Sequence, residues 1–161
     1  MTLRPARVAD ATALAHIYNH YVRETIVTFE ELPVAPDALA ARIEEITAAL
    51  PWLVCENEGA VLGYAYASPW RPRAAYRHSV EATVYLDRTA TGRGLGTQLY
   101  RELIAQLRER GLHVVIGGVA LPNPASVALH EKLGFEKVAH FNEVGFKLGR
   151  WIDVAYWQLR L

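Results

Sequence analysis

The sequence has little of what several classes of protein require. It contains one cysteine, Cys55, so it cannot form an intramolecular disulfide or a zinc site built from several cysteines. Its 17 Lys and Arg balance 17 Asp and Glu, so no excess of positive charge favours nucleic acid or an anionic lipid surface. The uncharged stretch 114–129 is interrupted by glycines and prolines and cannot form one membrane-spanning helix. These absences predict a cytoplasmic protein with neither a nucleic-acid nor a membrane partner.

Signals for export and for metal binding are also missing. Residues 1–7 carry two arginines and a proline where a signal peptide needs an apolar run, so secretion is not expected. His16 and His20 lie one helical turn apart, but without a third ligand or a His-Glu-x-x-His pattern we expect no metal. Apolar residues, in contrast, make up 52% of the chain, enough for the core of one globular domain over 1–161.

Apolar spacing and turn residues divide the chain into strands and helices. One predicted helix begins after Asp10, which caps it, and another ends before Gly111. Their apolar stripes, spaced by three or four residues, are Leu14, Ile17, Tyr18 and Tyr21, and then Leu95, Leu99, Leu103 and Leu107. Further helices are predicted at 37–50 and 124–133, and strands at 2–4, 52–56, 61–67, 79–86, from 114, 135–146 and 150–161. This order predicts an α/β fold with at least one crossover.

A glycine-rich loop follows the predicted strand 79–86. Gly92, Gly94 and Gly96 allow close approach of a ligand, and the helix that follows offers free N–H groups and the positive end of its dipole. Such a loop suits a pyrophosphate. A P-loop is excluded because the chain has no Gly-Lys followed by Ser or Thr, and the dinucleotide-binding glycine spacing fits no register.

The loop and the strand before it resemble a known family. Arg93-Gly94-Leu95-Gly96, after Val84-Tyr85-Leu86, is similar to the pyrophosphate loop of the GNAT N-acetyltransferase superfamily, whose ligand is acetyl-CoA. The resemblance covers nearly the whole chain. Its other segments are 3–6, 17–19 and 130–135 for the superfamily, and 68–71, 80–85 and 121–123 for the phosphinothricin and methionine sulfoximine acetyltransferase branch. Thr91 departs from the usual Gln or Arg but leaves the backbone amides in place.

The resemblance implies a fold and a cofactor. The fold is a mixed, largely antiparallel sheet flanked by helices and splayed near Val84 to Leu86, and the cofactor is acetyl-CoA as co-substrate, without a metal. The main chain of Val84, Tyr85 and Leu86 would pair with the pantetheine arm. The pyrophosphate would bind to Gly92, Arg93, Gly94, Leu95, Gly96 and Thr97. Asn123 would hydrogen-bond the cofactor, although it is equally placed to cap the helix that begins at Pro124.

Acetyl transfer to an amine requires a base, and Glu81 is the leading candidate. It stands in an otherwise apolar strand, where partial burial would raise its pKa toward a useful range. The resembled branch assigns the base role to a glutamate at this position. The alternatives are a solvated edge residue, a structural ion pair, or a base among Glu24, Glu30 and Glu31.

Other candidate site residues follow from the resemblance and from side-chain chemistry. His130 stands where many members carry a tyrosine that protonates the CoA thiolate, and is either that acid or a buried structural histidine. Arg71 and Arg73 offer forked donors suited to a carboxylate or phosphinate, although a solvated loop or contact with CoA phosphates remains open. By resemblance Phe29, Arg71, Arg73 and Tyr76 line the acceptor pocket, and the alternative for Phe29 is a role in the core only.

Together these features predict an N-acetyltransferase that acts on the α-amino group of phosphinothricin, methionine sulfoximine or methionine sulfone by direct attack. Cys55 has no paired histidine and is expected in the core rather than as an acetyl carrier. The alternatives are another amine acceptor (a polyamine, an aminoglycoside or a protein N-terminus) or a non-catalytic acyl-CoA-binding sensor. Exposure of Trp151, Tyr156 and Trp157 on the last strand would favour a homodimer.

Overall fold

The computed structural model describes all 161 residues and contains seven strands and four α-helices. In chain order they are β1 (Thr2–Pro5), α1 (Ala11–Glu24), α2 (Pro36–Thr47), β2 (Trp52–Asn57), β3 (Ala60–Pro69), β4 (Ser79–Leu86), α3 (Leu95–Glu109), β5 (Val114–Leu121), α4 (Pro124–Lys132), β6 (Glu136–Lys147) and β7 (Arg150–Arg160). Short 3₁₀ turns lie at Val8–Asp10 and Ala74–Tyr76. No helix is long and apolar enough to cross a membrane.

The strands form one sheet in the order β1-β2-β3-β4-β5-β7-β6. Every neighbouring pair is antiparallel except β4 and β5, which are parallel and joined by the predicted crossover through α3. Their pairing covers three residues of each strand and ends at Glu81 and Ile116. From Ala82 onward β4 pairs only with β3, so the sheet opens earlier than the expected point near Val84. The mixed, largely antiparallel sheet flanked by helices is confirmed.

The two faces of the sheet carry separate cores. The predicted stripe of α3, from Leu95 to Leu107, is at most 2% exposed and packs on one face. Helices α1 and α2 cover the other face through Leu14, Ile17, Ile43 and their neighbours. Burial of each such leucine or isoleucine stabilises the fold by about 1.5–3 kcal/mol, so both layers hold the central strands in place.

Two expectations about individual residues are wrong. Trp157 is 2% exposed, because side chains alternate along β7 and this one points into the α3 core. Asp10 precedes α1, but its carboxylate does not cap that helix. Instead it accepts from the Arg7 N–H at 2.8 Å and from the Arg4 guanidinium at 2.8 and 2.9 Å, which ties β1 to the start of α1. Both carboxylate oxygens of Asp10 are therefore hydrogen-bonded to Arg4 and Arg7 and do not accept from the first N–H groups of α1.

Candidate active site

A cavity of about 500 Å³ lies where β4 and β5 separate. Its walls come from both strands of the split, from the segment after α1, from α3 and α4, and from β6 and β7. The lining residues are Val27, Thr28, Phe29, Glu81, Ala82, Thr83, Val84, Tyr85, Tyr100, Gly118, Val119, Ala120, Asn123, Ser126, His130, Phe141, Val144, Val154 and Tyr156. The cavity exists because β4 and β5 stop pairing after Glu81 and Ile116, so no strand fills the gap between them.

Glu81 lies in the wall of this cavity and is the last residue of β4 that pairs with β5. Burial raises the pKa of its carboxyl group, and the positive charge of Arg71 partly opposes that shift. Gly118 on β5 lies beside both the Glu81 carboxylate and the Tyr156 ring. A Cβ atom there would lie 3.4 Å from Glu81 Oε1 and 3.0 Å from Tyr156 Cε1. A carboxyl group with a raised pKa and a tyrosine ring therefore lie side by side in the wall of the cavity.

Arg71 lies in the exposed loop between β3 and β4 and is held by an aromatic neighbour. Its guanidinium carbon lies 4.6 Å from the ring centroid of Trp70, which makes an edge contact with Tyr156 at 5.6 Å. The Arg71 charge therefore acts on the cavity, where it lowers the pKa of both Glu81 and Tyr156 against the effect of burial. Arg73 and Tyr76 are exposed in the same loop, and none of these three residues lines the cavity.

His130 lines the cavity, but the residue is only 2% exposed. The Nδ1 atom lies 2.7 Å from the carbonyl oxygen of Ser126, which requires a proton on Nδ1. The Nε2 atom is buried without a partner, and it faces Gly117, where a Cβ would lie only 2.3 Å away. Burial lowers the pKa of the imidazole, so the neutral ring with a bare Nε2 is favoured.

The glycine-rich loop joins β4 to α3 and is exposed. Gly92 and Gly94 have φ angles of +73° and +76°, which other residues adopt only with strain. The N–H groups of Gly92, Arg93 and Gly94 donate no hydrogen bond within the chain. Gly94 is the N-cap of α3 and has no side chain to occupy the N–H groups of the first turn. The loop therefore presents a set of free donors at the positive end of a 15-residue helix.

Asn123 does cap α4, since its Oδ1 accepts from the Ser126 N–H at 3.2 Å. It also lines the cavity, and its Nδ2 donates no hydrogen bond within the chain.

Only part of the segment expected to bind the pantetheine arm lines the cavity. Val84 and Tyr85 line the cavity, whereas Leu86 does not, and its carbonyl accepts from the Tyr21 hydroxyl at 2.5 Å.

The acetyltransferase (GNAT) family model matches residues 14–135, about three quarters of the chain. The chain belongs to the GNAT family. A Salmonella typhimurium protein named L-methionine sulfoximine/L-methionine sulfone acetyltransferase is 40% identical over 162 residues, covering 100% of this chain and 95% of its own length.

Two solved structures share the GNAT fold with a TM-score of 0.97 and 41% identity each. One is a phosphinothricin acetyltransferase from Sinorhizobium meliloti in complex with acetyl-CoA, with 99% of this chain and 88% of that chain covered. The other is described as a ribosomal-protein-alanine N-acetyltransferase from Brucella melitensis, with 100% of both chains covered. Relatives with nearly the same backbone thus carry different acceptor names.

Within this GNAT chain the weaker base candidates lie away from the cavity. Glu30 is paired with Arg42 at 2.8 Å, and Glu31 is exposed. Glu24 lines a separate cavity of about 360 Å³, together with His16 and His20. Cys55 is fully buried beneath α3, and burial raises the pKa of its thiol, as suits a core residue.

Sequence reasoning missed several residues of the GNAT cavity. Tyr156 was grouped with the exposed aromatics, but it faces the cavity beside Glu81. Phe141 on β6 packs edge-on against Tyr156 at 6.0 Å. The signal for Tyr156 was available, because Trp157 and Tyr156 are consecutive in a strand and must point to opposite faces. Val27 and Thr28 carried no signal, since they lie in an irregular segment after α1.

Proposed function

We propose that this GNAT protein transfers the acetyl group of acetyl-CoA to the α-amino group of a small amino acid or analogue such as phosphinothricin, methionine sulfoximine or methionine sulfone. The observation that carries the proposal is Glu81, a half-buried carboxyl group with a raised pKa at the point where β4 and β5 separate. The names of relatives from Salmonella and Sinorhizobium support this acceptor class. The acetyl-CoA bound to the Sinorhizobium protein supports the donor.

The donor is expected to occupy the split in the sheet. Its pantetheine arm would pair with the free edge of β4 at Val84 and Tyr85, in the place of a missing strand. Its pyrophosphate would accept hydrogen bonds from the N–H groups of Gly92 to Thr97, which meet no acceptor in the loop itself. The unused Nδ2 of Asn123 is a further donor on the opposite wall.

The chemistry requires one proton to leave the acceptor before attack. Glu81, as carboxylate, takes a proton from the ammonium group directly or through one water, and the amine lone pair then attacks the thioester carbonyl carbon. The tetrahedral intermediate loses the second nitrogen proton to solvent and collapses with cleavage of the C–S bond, which releases the neutral amide and the CoA thiolate. Because a thiol has a pKa of about 8.5, the thiolate needs no strong acid and takes its proton from solvent.

His130 has a packing role in this proposal. An acid must carry a proton on the nitrogen that faces the leaving group, but the Nδ1 proton is directed at Ser126 and Nε2 is left without one. Protonation of the ring would add that proton, and burial of His130 lowers the pKa and disfavours it. The neutral ring instead fills the space above Gly117.

Acceptor recognition is assigned to the two sides of the cavity. Arg71, held over Trp70, would pair with the carboxylate of the amino acid, with Arg73 and Tyr76 as further contacts from the same loop. Phe29 would contact the acceptor side chain from the opposite side. Two arginines beside the acceptor site disfavour cationic acceptors such as a polyamine or an aminoglycoside.

A second candidate acceptor is a protein N-terminus, favoured by the name of the Brucella relative. The two candidates differ in what lies beyond the α-carbon. A free amino acid has a carboxylate for Arg71, whereas a peptide has an amide there and needs an open channel for the following residues. The same acceptor with a free or an amidated carboxyl group therefore separates them.

The direct test is release of CoA thiol over a panel of acceptors, corrected for Cys55 with blanks that contain enzyme without acceptor. The panel contains methionine sulfoximine, methionine sulfone, phosphinothricin, methionine sulfone amide, an alanine-initiated peptide, spermidine and an aminoglycoside. We expect turnover with the first three only. Peptide turnover would replace the acceptor assignment, and CoA binding measured by calorimetry without any turnover would favour an acyl-CoA sensor.

We also propose a homodimer. Six large apolar residues on β6, β7 and their turn are at least half exposed: Val138, Phe141, Val144, Phe146, Leu148 and Trp151. Strand β6 is also an edge of the sheet, with one side unpaired. A surface of this kind is covered at low cost by the same surface of a second copy. Light scattering on the eluted protein should give twice 18.0 kDa.

A further inference from the structure

Phe29, on the acceptor side of the cavity, rests on strand β6. Its ring lies over the backbone of Gly145, where an added Cβ atom would come within 2.4 Å of Phe29 Cζ and 2.5 Å of Cε2. Gly145 is buried and does not line the cavity, whereas Phe29 does. The ring therefore stands between Gly145 and the space proposed for the acceptor, and it is 43% exposed on its other side.

The backbone of Gly145 does not explain its lack of a side chain. Its φ angle is outside the positive range that favours glycine, so alanine could adopt the same conformation. What an alanine could not do is leave the Phe29 ring in place. The glycine thus provides a shallow seat for one aromatic ring of the cavity wall, 116 residues earlier in the chain.

Lys147 holds the backbone beside that ring. It is 3% exposed, and its Nζ donates to the Thr28 carbonyl at 2.6 Å and to the Tyr21 carbonyl at 3.4 Å. No carboxylate lies within ion-pair distance of this ammonium group, although Glu30 and Glu31 are near enough to oppose the fall in pKa that burial causes. A buried lysine with two carbonyl partners is costly to maintain, and the mechanism above does not use it.

Two further interactions hold the same segment after α1. Ile26 packs in a small core with Ala120 of β5 and Ile152 of β7. The hydroxyl groups of Thr28 and Tyr18 are hydrogen-bonded at 2.8 Å. The end of β6 is itself fixed, since residues 145–147 pair in one register with residues 150–152 across a two-residue turn. The ring position is therefore determined by a hairpin that is remote in sequence.

We propose that Gly145 and Lys147 are positioning residues that determine which acceptor side chains fit, because they fix the ring and the backbone of Phe29. This inference rests on the proposed function, in which Phe29 contacts the acceptor. Gly145 sets how far the ring stands out from β6, and Lys147 sets the height of the Thr28–Phe29 backbone above the strand. Neither residue lines the cavity, so we expect their effect to reach the acceptor through Phe29.

The first experiment is a double-mutant cycle with Gly145→Ala, Phe29→Ala and the combined variant. Gly145→Ala is expected to raise the KM for the best acceptor about fivefold to tenfold, since the ring must leave its rotamer or its seat. The kcat and the KM for acetyl-CoA should change less than about twofold. In the Phe29→Ala background the same glycine substitution should have no effect, because the ring it displaces is gone. Equal effects in both backgrounds would overturn the proposal.

Lys147→Met supplies a second cycle, since it keeps a long apolar chain and removes the donor. It should also raise the acceptor KM only while Phe29 is present. Lys147→Arg keeps donors and should recover part of the loss. Lys137→Met is the matched control and should leave the acceptor KM unchanged. Lys137 is on the same strand but is exposed, and it pairs with Trp157, at the opposite end of the hairpin from Lys147.

A second readout does not depend on the identity of the acceptor. The chain has four phenylalanines, so protein labelled with 4-fluorophenylalanine gives four ¹⁹F resonances, and Phe29→Leu assigns one of them. Gly145→Ala and Lys147→Met should each shift the Phe29 resonance, and Lys137→Met should not. An unmoved Phe29 resonance would refute the positioning role. Absence of turnover with every amino acid acceptor would instead refute the proposed function, with the resonance shifts still deciding the role of these two residues.

Discussion

Replacement of Glu81 by glutamine should lower the catalytic rate and raise the stability of the fold at neutral pH. Loss of the general base is expected to lower kcat by about 10²- to 10⁴-fold. Glutamine keeps the size of the side chain beside Gly118 and Tyr156, so calorimetry should give CoA affinity close to that of the wild type. Thiol release with methionine sulfone is the activity assay, and Glu24→Gln, in the separate cavity, is the matched control.

The effect of the same substitution on stability follows from the raised pKa of Glu81. Burial is the main cause of the raised value, so the folded protein holds the proton more tightly than the unfolded chain does. The ordinary pKa of this carboxyl group is 4.5. As the pH rises from that value through the higher pKa of the folded state, the carboxyl group increasingly disfavours folding. At neutral pH the destabilisation is about 1.4 kcal/mol for each pH unit by which the folded pKa exceeds the unfolded one. Glu81→Gln should therefore raise Tm at pH 7, and have a much smaller effect near pH 4.

The pH profile of kcat/KM tests the same assignment through Arg71. Activity should fall as the pH decreases through the pKa of Glu81, because only the carboxylate accepts a proton. Arg71 lowers that pKa, so Arg71→Met should move the acidic limb to higher pH, while Arg73→Met, which removes an arginine that does not act on the Glu81 pKa, should not. The reasoning is refuted if Glu81→Gln retains both activity and the limb, or if Arg71→Met moves the limb to lower pH.

Three further outcomes are expected. His130→Asn, in which an amide N–H replaces the Nδ1 proton near Ser126, should keep kcat within about tenfold but lower stability by about 1–3 kcal/mol, measured by thiol release and urea unfolding. A larger loss of kcat, with unchanged CoA affinity, would restore the acid role. Gly94→Ala should lower the free energy of unfolding by about 1–2 kcal/mol because of the φ of +76°, and should weaken CoA binding in calorimetry. Nothing lies within 4 Å of the new Cβ, so the cause would be the changed backbone of the loop and not a steric clash within the chain. Trp151→Glu should convert the expected dimer to a monomer in light scattering, and a wild-type monomer would refute the interface.

Local patterns were sufficient for much of this fold. The leucine stripe of α3 and the glycines before it are close in sequence, so their spacing alone predicted a helix, its buried face and the free donors at its start. Asn123 and Pro124 likewise marked the start of α4. Glu81 was predictable because a single carboxylate in an apolar strand is conspicuous.

The parts that failed depend on contacts between distant segments. The Phe29 seat joins residues more than a hundred positions apart, and neither Gly145 nor Lys147 is unusual in its local sequence. Arg71, Arg73 and Tyr76 were expected beside the acceptor by resemblance; that their loop lies outside the cavity lining could not be predicted, because an irregular loop has no periodicity that gives its direction. Trp157 was misplaced because aromatic content was counted without regard to the alternation along β7.

The short parallel pairing of β4 and β5 has a consequence for the lifetime of the protein. Beyond Glu81 and Ile116 the sheet has an open edge in its middle, the kind of edge at which chains aggregate and proteases begin. A pantetheine arm bound there would close it, and the folded state would gain RT ln(1 + [L]/Kd) in stability. Abundance of the enzyme in a cell would then follow its supply of acetyl-CoA, with turnover of the protein fastest when the metabolite is scarce.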